Sequence, residues 1–186
     1  MQVKFKSCVQ LVGCALGLLM SCDLAIAQLG LNQKADDDLQ MSARFHLETG
    51  TAKGFLIVKI KIPNDSYIYS LTQSSPLLPS KLSVATSKQF IAKTKFQPDK
   101  QPKVIERDPV FETRVEKHSG TVQFYVPIKI APKTDLKTFK PTVLYSGQIC
   151  SDRGFCKQIN NKTVQAKFAG YYQREAKMQL PIIKTK

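Results

Sequence analysis

The chain has 186 residues, a formal net charge of +14, and no tryptophan. That length suits one domain with a real hydrophobic core. The lysines alternate along strand-like stretches, as at Lys59 and Lys61, instead of clustering with aromatics. This pattern reads as a solvated sheet face and argues against a nucleic-acid surface, while the charge itself favours encounter with acidic partners or anionic membrane surfaces.

Residues 1–27 read as a signal peptide. Lys4 and Lys6 precede an apolar run from Val9 to Met20, and Ala25-Ile26-Ala27 supplies a small-x-small cleavage site. The run is shorter than the about 20 residues of a membrane span, and no later apolar stretch approaches that length. Cleavage after Ala27 leaves 159 residues, and loss of Lys4, Lys6 and Asp23 takes the charge to +13. A second reading stays open: Leu19-Met20-Ser21-Cys22 is similar to a lipobox, which would tether the mature protein through a lipid on Cys22.

Residues 28–38 read as a flexible leader. From Leu39 the period is two: Met41, Ala43, Phe45 and Leu47 alternate with Ser42, Arg44, His46 and Glu48, the mark of a half-buried strand. A turn at Thr49–Gly54 leads to a strand over Phe55–Ile62, ended by Pro63-Asn64-Asp65. Tyr67-Ile68-Tyr69 begins another. Further strands are expected at Lys81–Ala85, Phe90–Phe96, Val110–Val115, Thr121–Ile130, Asp135–Ser146 and Thr163–Phe168, with a loop at Gln97–Pro102. No long helical period is present. The expected fold is therefore all-β, an immunoglobulin-like β-sandwich formed by residues 39–170 as a single domain, with 171–186 as a C-terminal tail or edge strand.

Of five cysteines, Cys8, Cys14 and Cys22 fall in the export segment, leaving Cys150 and Cys156 in Cys150-Ser-Asp-Arg-Gly-Phe-Cys156. Gly154 lets the chain turn back, and a disulfide here requires Cα atoms within about 7 Å. The closed loop has seven residues, so chain entropy gives roughly 2–3 kcal/mol at best. A bond meant only for stability would gain more by joining distant strands. Two readings remain on spacing alone, a structural staple and a redox pair. Arg153 and Lys157 favour a thiolate and Asp152 opposes it. Zinc is disfavoured, because C-x5-C is not a usual spacing and a structural site needs four ligands. His46 and His118, the sole histidines, read as ordinary strand or turn residues. No cofactor and no metal are expected.

The segment Val143-Leu-Tyr-Ser-Gly-Gln-Ile-Cys150-Ser-Asp-Arg-Gly-Phe-Cys156 resembles the N-terminal periplasmic domain of the bacterial thiol:disulfide interchange protein DsbD. Asn64-Asp65-Ser66-Tyr67-Ile68-Tyr69 is similar to that family's turn and aromatic strand, and Glu106-Arg107-Asp108-Pro109-Val110-Phe111 to its cap loop. The resemblance spans about residues 38–168. It implies an immunoglobulin-like domain that exchanges a dithiol for a disulfide with thioredoxin-fold or membrane partners in the periplasm, a thiol:disulfide oxidoreductase. It further implies that Cys156 forms the mixed disulfide and Cys150 resolves it. Tyr67 and Tyr69 would pack around the pair and Phe111 would shield it, with Val110 the alternative within the register. The bland reading of these aromatics is core or edge packing. Lys157-Gln158-Ile159 departs from the family, which often has an aromatic and two prolines there. The rival function is an exported binding or structural module whose disulfide only holds a loop. The charge suggests monomers that repel one another.

Overall fold

A computed structural model describes residues 39–85 and 87–173. The expected signal peptide 1–27, the leader 28–38, Cys22 with its lipobox, and all but the first three residues of the 171–186 tail lie outside the described residues. Among the described residues there are strands and turns and no helix.

The strands are β1 (Gln40–Glu48), β2 (Lys53–Lys61), β3 (Ser66–Tyr69), β4 (Lys81–Val84), β5 (Phe90–Ala92), β6 (Gln97–Pro98), β7 (Lys103–Ile105), β8 (Val115–Ser119), β9 (Thr121–Ile130), β10 (Thr142–Ser151) and β11 (Cys156–Tyr172). One sheet runs β9-β2-β1, with β5 and β6 both paired to β9. The other runs β10-β3-β8-β7, with β4 beside β10. The long β11 belongs to both. Its first part pairs antiparallel with β10, from Cys150↔Cys156 to Thr142↔Gln165. From Ala166 it pairs parallel with β1. This shared strand closes one side of an all-β, immunoglobulin-like sandwich.

Alternation decides which side chains meet inside. In β9, Val122, Phe124, Val126, Ile128 and Ile130 are buried, while Thr121 and Lys129 are exposed. Phe45, Leu56, Val58 and Ile60 face the same interior, and from the second sheet Ile68, Val143, Tyr145 and Ile149 join them in one cluster. Phe45 stacks edge-on with Phe90 and Phe139 and lies 5.4 Å from Phe168. Truncating a phenylalanine so enclosed costs about 3–5 kcal/mol. Lys59 and Lys61 lie on the exposed face of β2, as their spacing predicts. Gly54 sits opposite Leu47, where a Cβ would run into the backbone carbonyl of His46.

Four expected elements differ. Val110–Val115 is a loop, and the strand begins at its last residue. Asp108 accepts backbone N–H bonds from Val110 at 2.9 Å and Phe111 at 3.2 Å, and Glu112 adopts a φ of 53°. Such local capping competes with a sheet ladder. Asp135 similarly accepts from the Lys137 amide and the Thr138 hydroxyl, so β10 starts at Thr142 and not near Asp135. The expected Phe90–Phe96 strand stops at Ala92, and Thr163–Phe168 is only the middle of β11. Two short strands, β6 and β7, were not foreseen.

Candidate functional site

The second sheet buries its other face in a small separate cluster of Tyr67, Tyr69, Val115 and Cys150, against which Leu77 and Phe111 pack. This follows from alternation. Tyr67 and Tyr69 of β3 point away from the main core, whereas Ile68 points into it. Pairing then brings neighbours together, with Cys150 opposite Tyr67 and Tyr69 opposite Lys117.

Cys150 and Cys156 form a disulfide with an S–S distance of 2.08 Å and a Cα–Cα distance of 4.0 Å. They are directly opposed on β10 and β11. The turn between them also carries backbone hydrogen bonds: the Ser151 amide donates to the Phe155 carbonyl and the Gly154 amide to the Ser151 carbonyl. Gly154 has a φ of 89°, a conformation that glycine adopts at low cost. The Asp152 amide also ties the turn to the Asp65 carbonyl at 2.9 Å. β11 continues straight from Cys156, with Lys157 and Gln158 in register with Ile149 and Gln148. The residues that replace the aromatic and prolines of the resembled family thus serve as ordinary ladder positions.

The two cysteines differ in exposure. Cys150 is 0% exposed, whereas Cys156 is open to solvent. Beside it Phe155 is 78% exposed. Val110 is 64% exposed, and its Cγ1 would stand 3.9 Å from a Cβ placed on Gly154. The loop before β8 therefore makes two contacts. Phe111 packs inward on the tyrosine–Cys150 cluster, and Val110 stands over the cysteine turn.

The Tyr69 hydroxyl lies 3.7 Å from Cys150 Sγ. A disulfide sulfur carries no hydrogen, so the hydroxyl donates. The rings of Tyr67 and Tyr69 meet edge-on at 5.7 Å. Burial, with Tyr67 beside it, pushes the Tyr69 phenol well above its ordinary range, which keeps the donor protonated. Burial also raises Tyr67, outweighing the lowering effect of the neighbouring Tyr69 hydroxyl, and Asp108 and Asp152 add to the rise.

The sequence alone did not single out Lys117. Its Nζ lies 4.2 Å from the centre of the Tyr67 ring and 3.7 Å from an Asp152 carboxylate oxygen. Asp152, the acid in the cysteine turn, thus faces a cation from β8. The available signal was period two, since Lys117 shares a face with Val115. His118, on the opposite face, is buried edge-on against Phe124 at 5.7 Å. No group of three or more potential metal ligands occurs among the described residues.

No family profile and no curated protein matches the sequence. Solved structures do. The crystal structure of the N-terminal periplasmic domain of ScsB from Proteus mirabilis has a TM-score of 0.53 at 11% identity, over 79% of this chain and 53% of that chain. The Neisseria meningitidis DsbD N-terminal domain in the reduced form has a TM-score of 0.34 at 14% identity, over 67% and 89%. The major pilin subunit BcpA of Bacillus cereus, as the variant D312A, has 0.37 at 8%, over 70% and 40%. Of these three the ScsB domain exceeds 0.5, and at that identity the likeness concerns the fold. This chain spans about half the length of the ScsB chain.

Proposed function

We propose that this domain exchanges a dithiol for a disulfide with thioredoxin-fold proteins in the periplasm, through Cys150 and Cys156. The observation that carries the reading is the asymmetry of the pair: one sulfur lies in a tyrosine-lined cluster and the other beside an exposed phenylalanine. A partner thiolate attacks Cys156 Sγ, the Cys150–Cys156 bond breaks, and its electron pair leaves on Cys150. The partner's second thiolate then attacks the partner sulfur of the mixed disulfide and releases Cys156. The domain gains two electrons and the partner becomes a disulfide. In reverse, a Cys156 thiolate attacks an oxidised partner and Cys150 resolves the adduct.

Tyr69 donates to the sulfur that accumulates charge, Tyr67 packs edge-on against Tyr69, and Phe111 shields the Cys150 side of the pair. Val110 and Phe155 offer an apolar rim for the partner. The test is the reduction potential in glutathione and dithiothreitol buffers. A value between about −180 and −270 mV, the range of working oxidoreductases, supports exchange. A value below about −300 mV, where structural disulfides lie, overturns it.

A further inference from the structure

The disulfide, Tyr67, Tyr69 and Lys117 stand on one face of the second sheet. Cys150 is opposed by Cys156 on one side and by Tyr67 on the other, and Lys117 of β8 is opposed to Tyr69. Directly opposed residues of an antiparallel ladder share a face, as do residues two apart on one strand. From this position the Lys117 side chain reaches across Tyr67. Its Nζ lies 4.2 Å from the centre of the Tyr67 ring and 3.7 Å from an Asp152 carboxylate oxygen. Asp152 belongs to the loop that the disulfide closes.

The two members of this ion pair are held unequally. The Lys117 side chain is 18% exposed and that of Asp152 61%. Water and salt screen the carboxylate more than the cation, which is sheltered against an aromatic face. Neighbouring elements carry other charges: Asp108 and Glu112 in the loop before β8, Asp65 in the turn before β3, Arg153 in the cysteine turn, Lys157 on β11, and Lys103 of β7, which is opposed to Lys117. These stay constant when Lys117 or Asp152 is changed, so they do not decide the sign of either change.

Resting on the exchange reading above, we propose that Lys117 raises the thiolate content of the reduced pair and that Asp152 holds it back. Reduction adds two electrons and two protons and turns the disulfide into two thiols. Release of one proton to water then leaves the thiolate that attacks an oxidised partner. A nearby cation favours that anion, and a nearby carboxylate disfavours it. The effect is read at Cys156, the exposed sulfur. A purely mechanical tether between β8 and the cysteine turn would be lost in the same way from either end, whereas charge acts in opposite senses from the two ends.

The test is the rate at which iodoacetamide alkylates Cys156 near neutral pH. The probe is neutral, so the charge of the protein does not steer it. The full chain is reduced, dithiothreitol is removed, and modification at Cys156 is followed by peptide mass spectrometry. Lys117→Met keeps an apolar stem over Tyr67 and should slow alkylation at least about twofold, whereas Asp152→Asn should speed it at least about twofold. Lys117→Arg keeps the charge and should restore most of the parental rate. The deficit of Lys117→Met should disappear at alkaline pH, where every thiol is ionised. Asp152→Asn changes an exposed carboxylate and keeps the test valid if Lys117→Met folds poorly. Changes of the same direction in Lys117→Met and Asp152→Asn, a parental rate in either, or a deficit that persists at alkaline pH would each overturn the proposal. A reduction potential in the range of structural disulfides would overturn exchange alone, because alkylation reports on the reduced thiols whatever their potential.

Discussion

Removing one oxygen, in Tyr69→Phe, tests the proposed chemistry with little change of shape. The ring stays in its buried place, and only the donor 3.7 Å from Cys150 Sγ is lost. In the disulfide this hydroxyl meets a neutral sulfur, a weak contact. As the bond breaks, Cys150 takes up negative charge inside a cluster built from Tyr67, Val115 and Phe111, and the same contact becomes charge-assisted. Hydrogen bonds to charged groups contribute about 1.5–3 kcal/mol. The transition state of thiol–disulfide exchange carries roughly half the charge, so about 0.75–1.5 kcal/mol is lost there. That corresponds to an approximately 3- to 12-fold slower reduction. Stopped-flow reduction by dithiothreitol at fixed pH measures it, with urea denaturation as a check that the variant remains folded. Tyr67→Phe, one hydroxyl further from sulfur, should have a smaller effect. A Tyr69→Phe rate within twofold of the parent, in a protein of parental stability, would refute the role assigned to the hydroxyl.

Four other outcomes are expected. Cys150→Ser should trap a mixed disulfide on Cys156 with a thioredoxin-fold partner, visible on non-reducing gels, and Cys156→Ser should trap little because the remaining sulfur is buried. Phe111→Ala should destabilise the domain by roughly 2–3 kcal/mol in urea titration, because the ring packs on the buried cluster of Tyr67, Tyr69 and Cys150, and should leave glutathione attack on the exposed Cys156 little changed. Gly54→Ala should destabilise the domain by about 3 kcal/mol or more in urea titration, since the His46 carbonyl occupies the space of the new methyl. Glu116 has its carboxyl pKa lowered, first by the Thr72 hydroxyl, with Ser70 and Arg114 assisting against burial. A depressed folded-state pKa stabilises above the unfolded value of 4.5 and loses that contribution as pH falls through the folded value. Stability should therefore drop below about pH 4.5, by less in Glu116→Gln than in the parent.

Much of the scaffold was legible because strands encode their faces locally. The two-residue period in Met41–Leu47, in Phe55–Ile62 and in Thr121–Ile130 placed β1, β2 and β9 and told which side chains enter the core. The cysteine spacing and Gly154 foretold a turn that brings Cys150 and Cys156 together, and Tyr67 and Tyr69 were bound to share a face. The stretch Val110–Val115 was misread as a strand, because Asp108 accepts the Val110 and Phe111 amides and holds a loop that delays the strand until Val115. The pairings were not legible. Bringing Lys117 over Tyr67, burying His118 against Phe124 and sharing β11 between two sheets all depend on register between segments distant in the chain. The sequence by itself determined an all-β chain with a close cysteine pair, since those depend on short-range spacing. Only the tertiary structure decided which cysteine is buried, because burial is set by the strands packed against β10 and not by the neighbours of Cys150 in the chain.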